Sequence, residues 1–159
     1  MVMFWFRLSS FFYSNKLIFL ARLIYRYNLY FNKCSIPPTV SIGKNTKLAY
    51  GGIGVVINKS VVIGDNCIIG VNVTFGGRSK KSSGKMIIGD NVFIGANSVI
   101  IGEVNIGDNV IISPLSFVLD DIEKDSIFSG EKAKLFRKLK WKTYRIFISK
   151  EFNFNNIPF

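Results

Sequence analysis

Aliphatic residues recur at every sixth position through the middle of this chain, in three successive registers. The first is Ile36, Ile42 and Leu48; the second is Ile57, Ile63 and Ile69, with Phe75 in the same place. The third runs Ile88, Ile94, Ile100, Ile106, Ile112 and Val118. Four residues after most of these stands another small or β-branched residue: Val40, Thr46, Val61, Cys67, Val73, Val92, Ser98, Val104, Val110 and Ser116. The tetrapeptide Ile-Gly-x-Asn begins at Ile42, Ile63, Ile69, Ile88, Ile94 and Ile106. Gly and Asn are the residues that best tolerate a left-handed or tight-turn backbone. A period of six with turn residues at a fixed offset is not helical, and strands this short and evenly spaced leave no room for hairpin returns. The pattern predicts an all-β solenoid over residues 36–123, a parallel β-helix whose coils stack one aliphatic residue on another. Thirteen units at three to a coil make about four coils.

Ahead of the repeat, residues 1–35 follow a helical period. Leu17, Leu20, Ala21, Ile24 and Phe31 fall on one helical face, while Arg22, Arg26 and Lys33 share the other. No uncharged apolar run reaches the roughly 18 to 20 residues a spanning helix needs, and no small-residue cleavage site marks a secretory signal. Behind the repeat, residues 124–159 place Leu135, Leu139 and Ile146 among Arg137, Lys138, Lys142 and Arg145, which again predicts a basic helix. Such helices either lie in a membrane interface and attract anionic headgroups, or pack on the β-helix or between subunits.

Charge sharpens this division. The net charge is +11, but residues 1–64 hold eight Lys/Arg and no acid. Residues 65–131 hold five bases against nine acids, and 132–150 hold eight bases and no acid. An acidic repeat body between basic flanks is a poor channel for nucleic acid, which makes that partner unlikely, and the apolar residues interleaved with the flanking bases point instead to an anionic membrane surface. The two cysteines, Cys34 and Cys67, have neither disulfide-framework nor metal-ligand spacing. A reducing cytoplasm is therefore the expected compartment, peripheral to the membrane's inner face if the N-terminal segment binds lipid. Cys67 occupies a repeat position and reads as a small buried apolar residue.

The period breaks twice, and in a solenoid such breaks carry function, since the repeat itself only builds a scaffold. One break is Ala49 to Val56, containing Tyr50-Gly51-Gly52-Ile53-Gly54. The other is Gly76 to Ile87, a basic loop with Arg78, Lys80, Lys81 and Lys85. It is not a Walker phosphate loop, because Gly84-Lys85 is followed by Met86 and the glycine spacing is wrong.

From Leu48 to Ile101 the chain resembles the hexapeptide-repeat acetyltransferases, in the serine acetyltransferase-like branch that includes relatives from capsule and O-antigen gene clusters. The resemblance is carried by Gly51-Gly52-Ile53-Gly54-Val55-Val56-Ile57, by Val73-Thr74-Phe75-Gly76-Gly77, and by Ile88-Gly89-Asp90-Asn91-Val92-Phe93-Ile94-Gly95-Ala96. It implies a left-handed β-helix, a homotrimer, and acetyl-CoA in the groove between neighbouring subunits. It further implies that Gly76 and Gly77 lie beside the thioester and pantetheine arm, that the arm runs past Gly95 and Ala96, and that Lys134 lies near the nucleotide end. Gly51, Gly52, Arg78 and Lys85 then belong to acceptor-side loops. The closing signature of the family is altered, since Gly130-Glu131-Lys132-Ala133-Lys134 lacks its proline.

One departure concerns the chemistry itself. Transfer of an acyl group to a hydroxyl needs a base to take the proton, the family uses histidine, and this chain contains none. Tyr50 stands at the histidine position, and a free phenol with a pKa near ~10 is a poor base at neutral pH. The absence of histidine also excludes a zinc site of the β-helical carbonic anhydrase kind. The expectation is an acetyl-CoA-dependent transferase acting on a sugar or polysaccharide precursor, with Tyr50 as candidate catalytic residue and no metal. The alternative is an inactive trimeric scaffold that keeps the fold and the CoA groove.

Overall fold

The computed structural model describes residues 1–77 and 84–130. Two helices, α1 (Val2–Ser14) and α2 (Ile18–Phe31), precede thirteen strands of two or three residues each. All strand pairing is parallel and falls into three sheets. The first sheet holds β1 (Ser41–Ile42), β4 (Val61–Ile63), β7 (Met86–Ile88) and β10 (Asn105–Ile106). The second holds β2 (Lys47–Leu48), β5 (Ile68–Ile69), β8 (Phe93–Ile94), β11 (Ile111–Ile112) and β13 (Ile127–Phe128). The third holds β3 (Val56–Ile57), β6 (Thr74–Gly76), β9 (Val99–Ile101) and β12 (Phe117–Val118). Consecutive strands always belong to different sheets, so the chain winds round a three-sided prism.

Six-residue periodicity is what this winding requires. Each side of the prism uses one short strand and one turn, and the inward residue of each strand lands on its counterpart one coil away. Ile69 aligns with Ile94, and Ile94 with Ile112, all fully buried. The second small residue of each unit fills the corner, and Val40, Thr46, Val61, Cys67, Val73, Val92, Ser98, Val104, Val110 and Ser116 are all buried. Cys67 thus has the packing role its repeat position implied. Burial pushes both thiols up, that of Cys34 to about 12, so both stay protonated at neutral pH.

The structure separates the roles of Gly and Asn in the Ile-Gly-x-Asn tetrapeptide. The left-handed backbone falls on the asparagines: Asn45, Asn66, Asn72, Asn91, Asn97 and Asn109 have φ between 56° and 59°. Their side chains also bond from coil to coil, as Asn72 Nδ2 does to Asn97 Oδ1 at 3.1 Å. The glycines have ordinary φ and are needed for closeness. A Cβ on Gly70 would stand 2.6 Å from the Ala96 backbone nitrogen, and one on Gly107 would stand 2.5 Å from that of Lys124. Beside the glycines, Asp65 and Asp90 each accept a backbone N–H from the neighbouring coil, at 2.6 and 2.7 Å.

On one corner the column Asn72–Asn97 ends at Leu115, which has φ 61° and is 75% exposed. A branched apolar side chain in that conformation costs about 1–2 kcal/mol. Leu115→Asn is expected to raise stability by about 1 kcal/mol, by relieving the backbone and continuing the side-chain ladder. Urea unfolding would show the midpoint moving up with an unchanged slope.

Two elements differ from the sequence expectation. The N-terminal segment is a hairpin of two helices, broken at Lys16, where φ is 64°. Of the residues placed on one helical face, Ala21 is buried and Ile24 half-buried, while Leu17, Leu20 and Phe31 are exposed; Asn28 joins the buried contact, and Lys33 lies beyond the helix. The hairpin is set by α1, whose Val2 and Phe6 join the solenoid core and cover its first coil. Arg7 fastens it there by donating to the carbonyls of Ile42 and Gly43 at 2.6 and 2.5 Å. The second difference is β13, which lies within the stretch assigned to a C-terminal helix. Ile122 bridges Ile106 and Phe128 pairs with Ile112, sixteen residues apart in place of the eighteen of a regular coil. Residues Leu119 to Asp121 shorten the turn, so the period of six no longer registers the strand. The basic helix expected further on, including Lys134, lies outside the described residues, as does Arg78.

Candidate active site

The first break in the period becomes a turn at the corner between the second and third sheets. Ala49–Gly52 form a short 3-10 segment in which Tyr50 has φ 49° and ψ 37°. Gly51, Gly52 and Gly54 follow with φ of 72°, 74° and 71°. Four left-handed residues in five turn the chain sharply outward and back. At Gly52 a Cβ would also meet Leu48 Cδ1 at 2.7 Å, so a side chain there would add a shift of Leu48 to the strain of its positive φ. Among the described residues, nothing lies within 4 Å of the equivalent position on Gly51. The ring of Tyr50 is 82% exposed, and its hydroxyl makes no hydrogen bond among the described residues. A tyrosine held left-handed and exposed is strained without a packing return, the kind of outlier that clusters at functional sites.

The second break leaves the opposite corner, between the third and first sheets, at Gly76 and Gly77. Neither glycine has a positive φ. Among the described residues, a Cβ on Gly76 would make ordinary contact with Ile101 at 3.5 Å, and one on Gly77 would press only on the Asn58 amide at 3.2 Å. These two therefore differ from the repeat glycines, because the fold tolerates a side chain at either place. At the far end of the loop Gly84 donates its N–H to Glu103 Oε1 at 2.8 Å, which anchors the return into β7. Lys85 is exposed there. Glu103 and Asn58 escaped sequence reasoning, because each belongs to a regular repeat and gains its role only from the coil beside it.

Gly95 and Ala96 sit on the same corner as Tyr50, further along the solenoid. Gly95 is explained by stacking, since a Cβ would fall 2.7 Å from Pro114 Cα. Ala96 is half-buried. Near this corner Leu115, Phe117, Phe128, Ser129 and Gly130 line a shallow groove of about 350 Å³ that the sequence did not foreshadow. Among the described residues no cluster of His, Cys, Asp or Glu is arranged to hold a metal ion.

Tyr50 and the Gly76–Gly77 pair thus stand at opposite edges of the third sheet. One chain brings them no nearer than the width of that side, on the order of 15 Å for about five extended residues.

Two family profiles match within the solenoid: the bacterial transferase hexapeptide (six repeats) over residues 85–120, and the hexapeptide repeat of succinyl-transferase over 60–77. A serine acetyltransferase of Bacillus pumilus is 30% identical over 125 residues, covering 78% of this chain and 57% of the relative. The putative colanic acid biosynthesis acetyltransferase WcaB of Escherichia coli K12 is 37% identical over 100 residues, 63% of this chain and 61% of that protein. The crystal structure of serine acetyltransferase (CysE) from Neisseria gonorrhoeae superposes with a TM-score of 0.77 at 28% identity, over 91% of this chain and 57% of that one. The chain thus spans about three fifths of the length of the curated relatives it matches. Repeats, left-handed parallel β-helix and relatives agree: this chain belongs to the hexapeptide-repeat acyltransferase family, on its serine acetyltransferase-like side.

Proposed function

We propose that this protein is an acetyl-CoA-dependent acetyltransferase whose site is built between copies of the chain, with a sugar or polysaccharide precursor as acceptor. The observation that carries this reading is the contrast between two kinds of glycine. Those of the repeat are required by stacking against backbone, whereas among the described residues a Cβ on Gly76 or Gly77 would meet only the side chains of Ile101 and Asn58. A bare backbone kept where the fold does not need it suits a groove that admits a thioester and its pantetheine arm. The nearby N–H groups then have the chemistry to stabilise a developing oxyanion.

The same reading includes assembly as a homotrimer. Tyr50 and the glycine pair leave opposite edges of one sheet, so a site using both needs a second subunit. The second sheet offers a surface for such assembly: its outward column is Ile68, Phe93, Ile111 and Ile127, all exposed and in register from coil to coil. Gly95 and Ala96 lie along the same corner as Tyr50, where they can border the arm, Lys134 supplies positive charge for the nucleotide end, and Lys85 stays on the acceptor side with Gly51 and Gly52. The acceptor class rests on the likeness to a protein of colanic acid biosynthesis. With no histidine in the chain, Tyr50 is the group placed to donate to or polarise the acceptor hydroxyl, and an amine arriving already deprotonated would need less help.

A second reading, an inactive trimeric scaffold, is favoured by the missing histidine and by the lack of any hydrogen bond orienting Tyr50 among the described residues. Calorimetric titration with acetyl-CoA separates the two. Binding by the wild type, lost in Gly77→Trp with the fold and oligomeric size unchanged, is the expected result. A folded, trimeric wild type that binds no acetyl-CoA would leave the scaffold reading in place.

A further inference from the structure

The helical hairpin has a face that neither the solenoid nor acyl transfer uses. In α2, Ala21 and Asn28 are buried and Ile24 and Tyr25 half-buried, which defines the packed side. By helical periodicity the opposite side carries Phe19, Leu23, Arg26 and Tyr30, with Arg22 at its margin. Phe19 is 79% exposed, Leu23 57% and Tyr30 65%. On α1, Phe4 and Phe11 likewise face away from the buried Val2, Phe6 and Ser9. Phe19, Arg22, Leu23, Tyr25 and Arg26 line an open groove of about 450 Å³. The guanidinium groups of Arg22 and Arg26, one turn apart, make no hydrogen bond or ion pair among the described residues, unlike that of Arg7.

We infer that this outward face of the hairpin docks the protein on an anionic lipid bilayer. Its apolar side chains enter the headgroup boundary, and Arg22 and Arg26 hold lipid phosphates at the groove. Charge decides between this partner and a second copy. The first acid of the chain is Asp65, so packing hairpin on hairpin sets guanidinium against guanidinium with no carboxylate in either hairpin to neutralise them. Several carboxylates of the repeat body are already engaged, as Asp65, Asp90 and Asp108 each accept a backbone N–H from the next coil. Anionic headgroups supply the missing charge, and a helix with large apolar residues and arginines on one exposed side suits the interface plane. Neither helix is long and apolar enough to cross a membrane, so the contact is peripheral.

The test is flotation of the full chain with vesicles of phosphatidylcholine alone and of phosphatidylcholine mixed with phosphatidylglycerol, at low and high salt. The wild type is expected to float with the mixed vesicles only and to be released by salt. Arg22→Gln combined with Arg26→Gln should weaken partitioning about thirtyfold, as two charges near such a surface do. Phe19→Ser with Leu23→Ser should weaken it at least about tenfold. All variants should keep the wild-type circular dichroism and oligomeric size. Equal binding to neutral vesicles, or full binding by the double arginine variant, overturns the inference. A fall in oligomeric size on replacing Phe19 and Leu23 also overturns it, since the face would then be a subunit contact. No readout involves acetyl-CoA, so this inference and the acyl-transfer reading fail separately.

Discussion

Replacing Tyr50 by phenylalanine is expected to lower kcat for acetyl transfer about a hundredfold, with acetyl-CoA affinity unchanged. The substitution removes one oxygen and keeps the ring, so the left-handed turn at φ 49° and its three following glycines are undisturbed. Any loss therefore belongs to the hydroxyl. Proton transfer by a positioned side chain contributes about 10²–10⁴ in rate, and the lower end suits a phenol that makes no hydrogen bond among the described residues. Steady-state kinetics with a sugar acceptor, beside calorimetry for acetyl-CoA, separates the terms. An unchanged kcat would remove Tyr50 from the chemistry and turn attention to amine acceptors, which need less help from a base when they arrive deprotonated. Tyr50→Gly distinguishes strain from catalysis, since it should stabilise the fold by about 1 kcal/mol while losing the same activity.

The largest effect on stability is expected from Ile94→Ala, a loss of about 3–4 kcal/mol in unfolding free energy. Ile94 is 0% exposed and aligned between Ile69 on one side and Ile112 on the other. Collapse cannot refill the space. Gly70, Gly95 and their neighbours already hold the coils as close as backbone contact allows, so the coils cannot slide inward to meet a smaller side chain. A solenoid adds a second cost, because each coil is held only by the coils beside it. A cavity in the middle of the stack therefore weakens the coupling of both halves. Urea unfolding that shows a lower midpoint, with a shallower slope where the halves uncouple, would bear this out; a loss under 1 kcal/mol would contradict it.

Much of the fold is legible in the chain because a β-helix is nearly one-dimensional. Its partners in space lie at a constant separation in sequence, so one strong signal, an aliphatic residue every six positions, names the inward residues from Ile36 to Val118 almost without exception. The strand that escaped, Ile127–Phe128, shows where that legibility ends. A turn two residues shorter keeps the stacking and destroys the period. The N-terminal hairpin is the complementary case. Helical periodicity placed Ala21 and Ile24 on the side that packs, but Leu17, Leu20 and Phe31 of the same face stay exposed, because the chain breaks at Lys16 and α2 packs through Ala21 and Asn28.

The site divides along the same line. The inward residues, the two breaks that depart from the repeat, and the absence of histidine are readable from the chain alone, since each is a property of residue type and order. Which glycines are dispensable to stacking, and that asparagine rather than glycine takes the left-handed turn, emerges only from the folded molecule. It alone also put Tyr50 and Gly76–Gly77 at opposite edges of one sheet. Those facts depend on what stands one coil away, and the backbone sets that distance through close contacts that no single stretch of sequence contains.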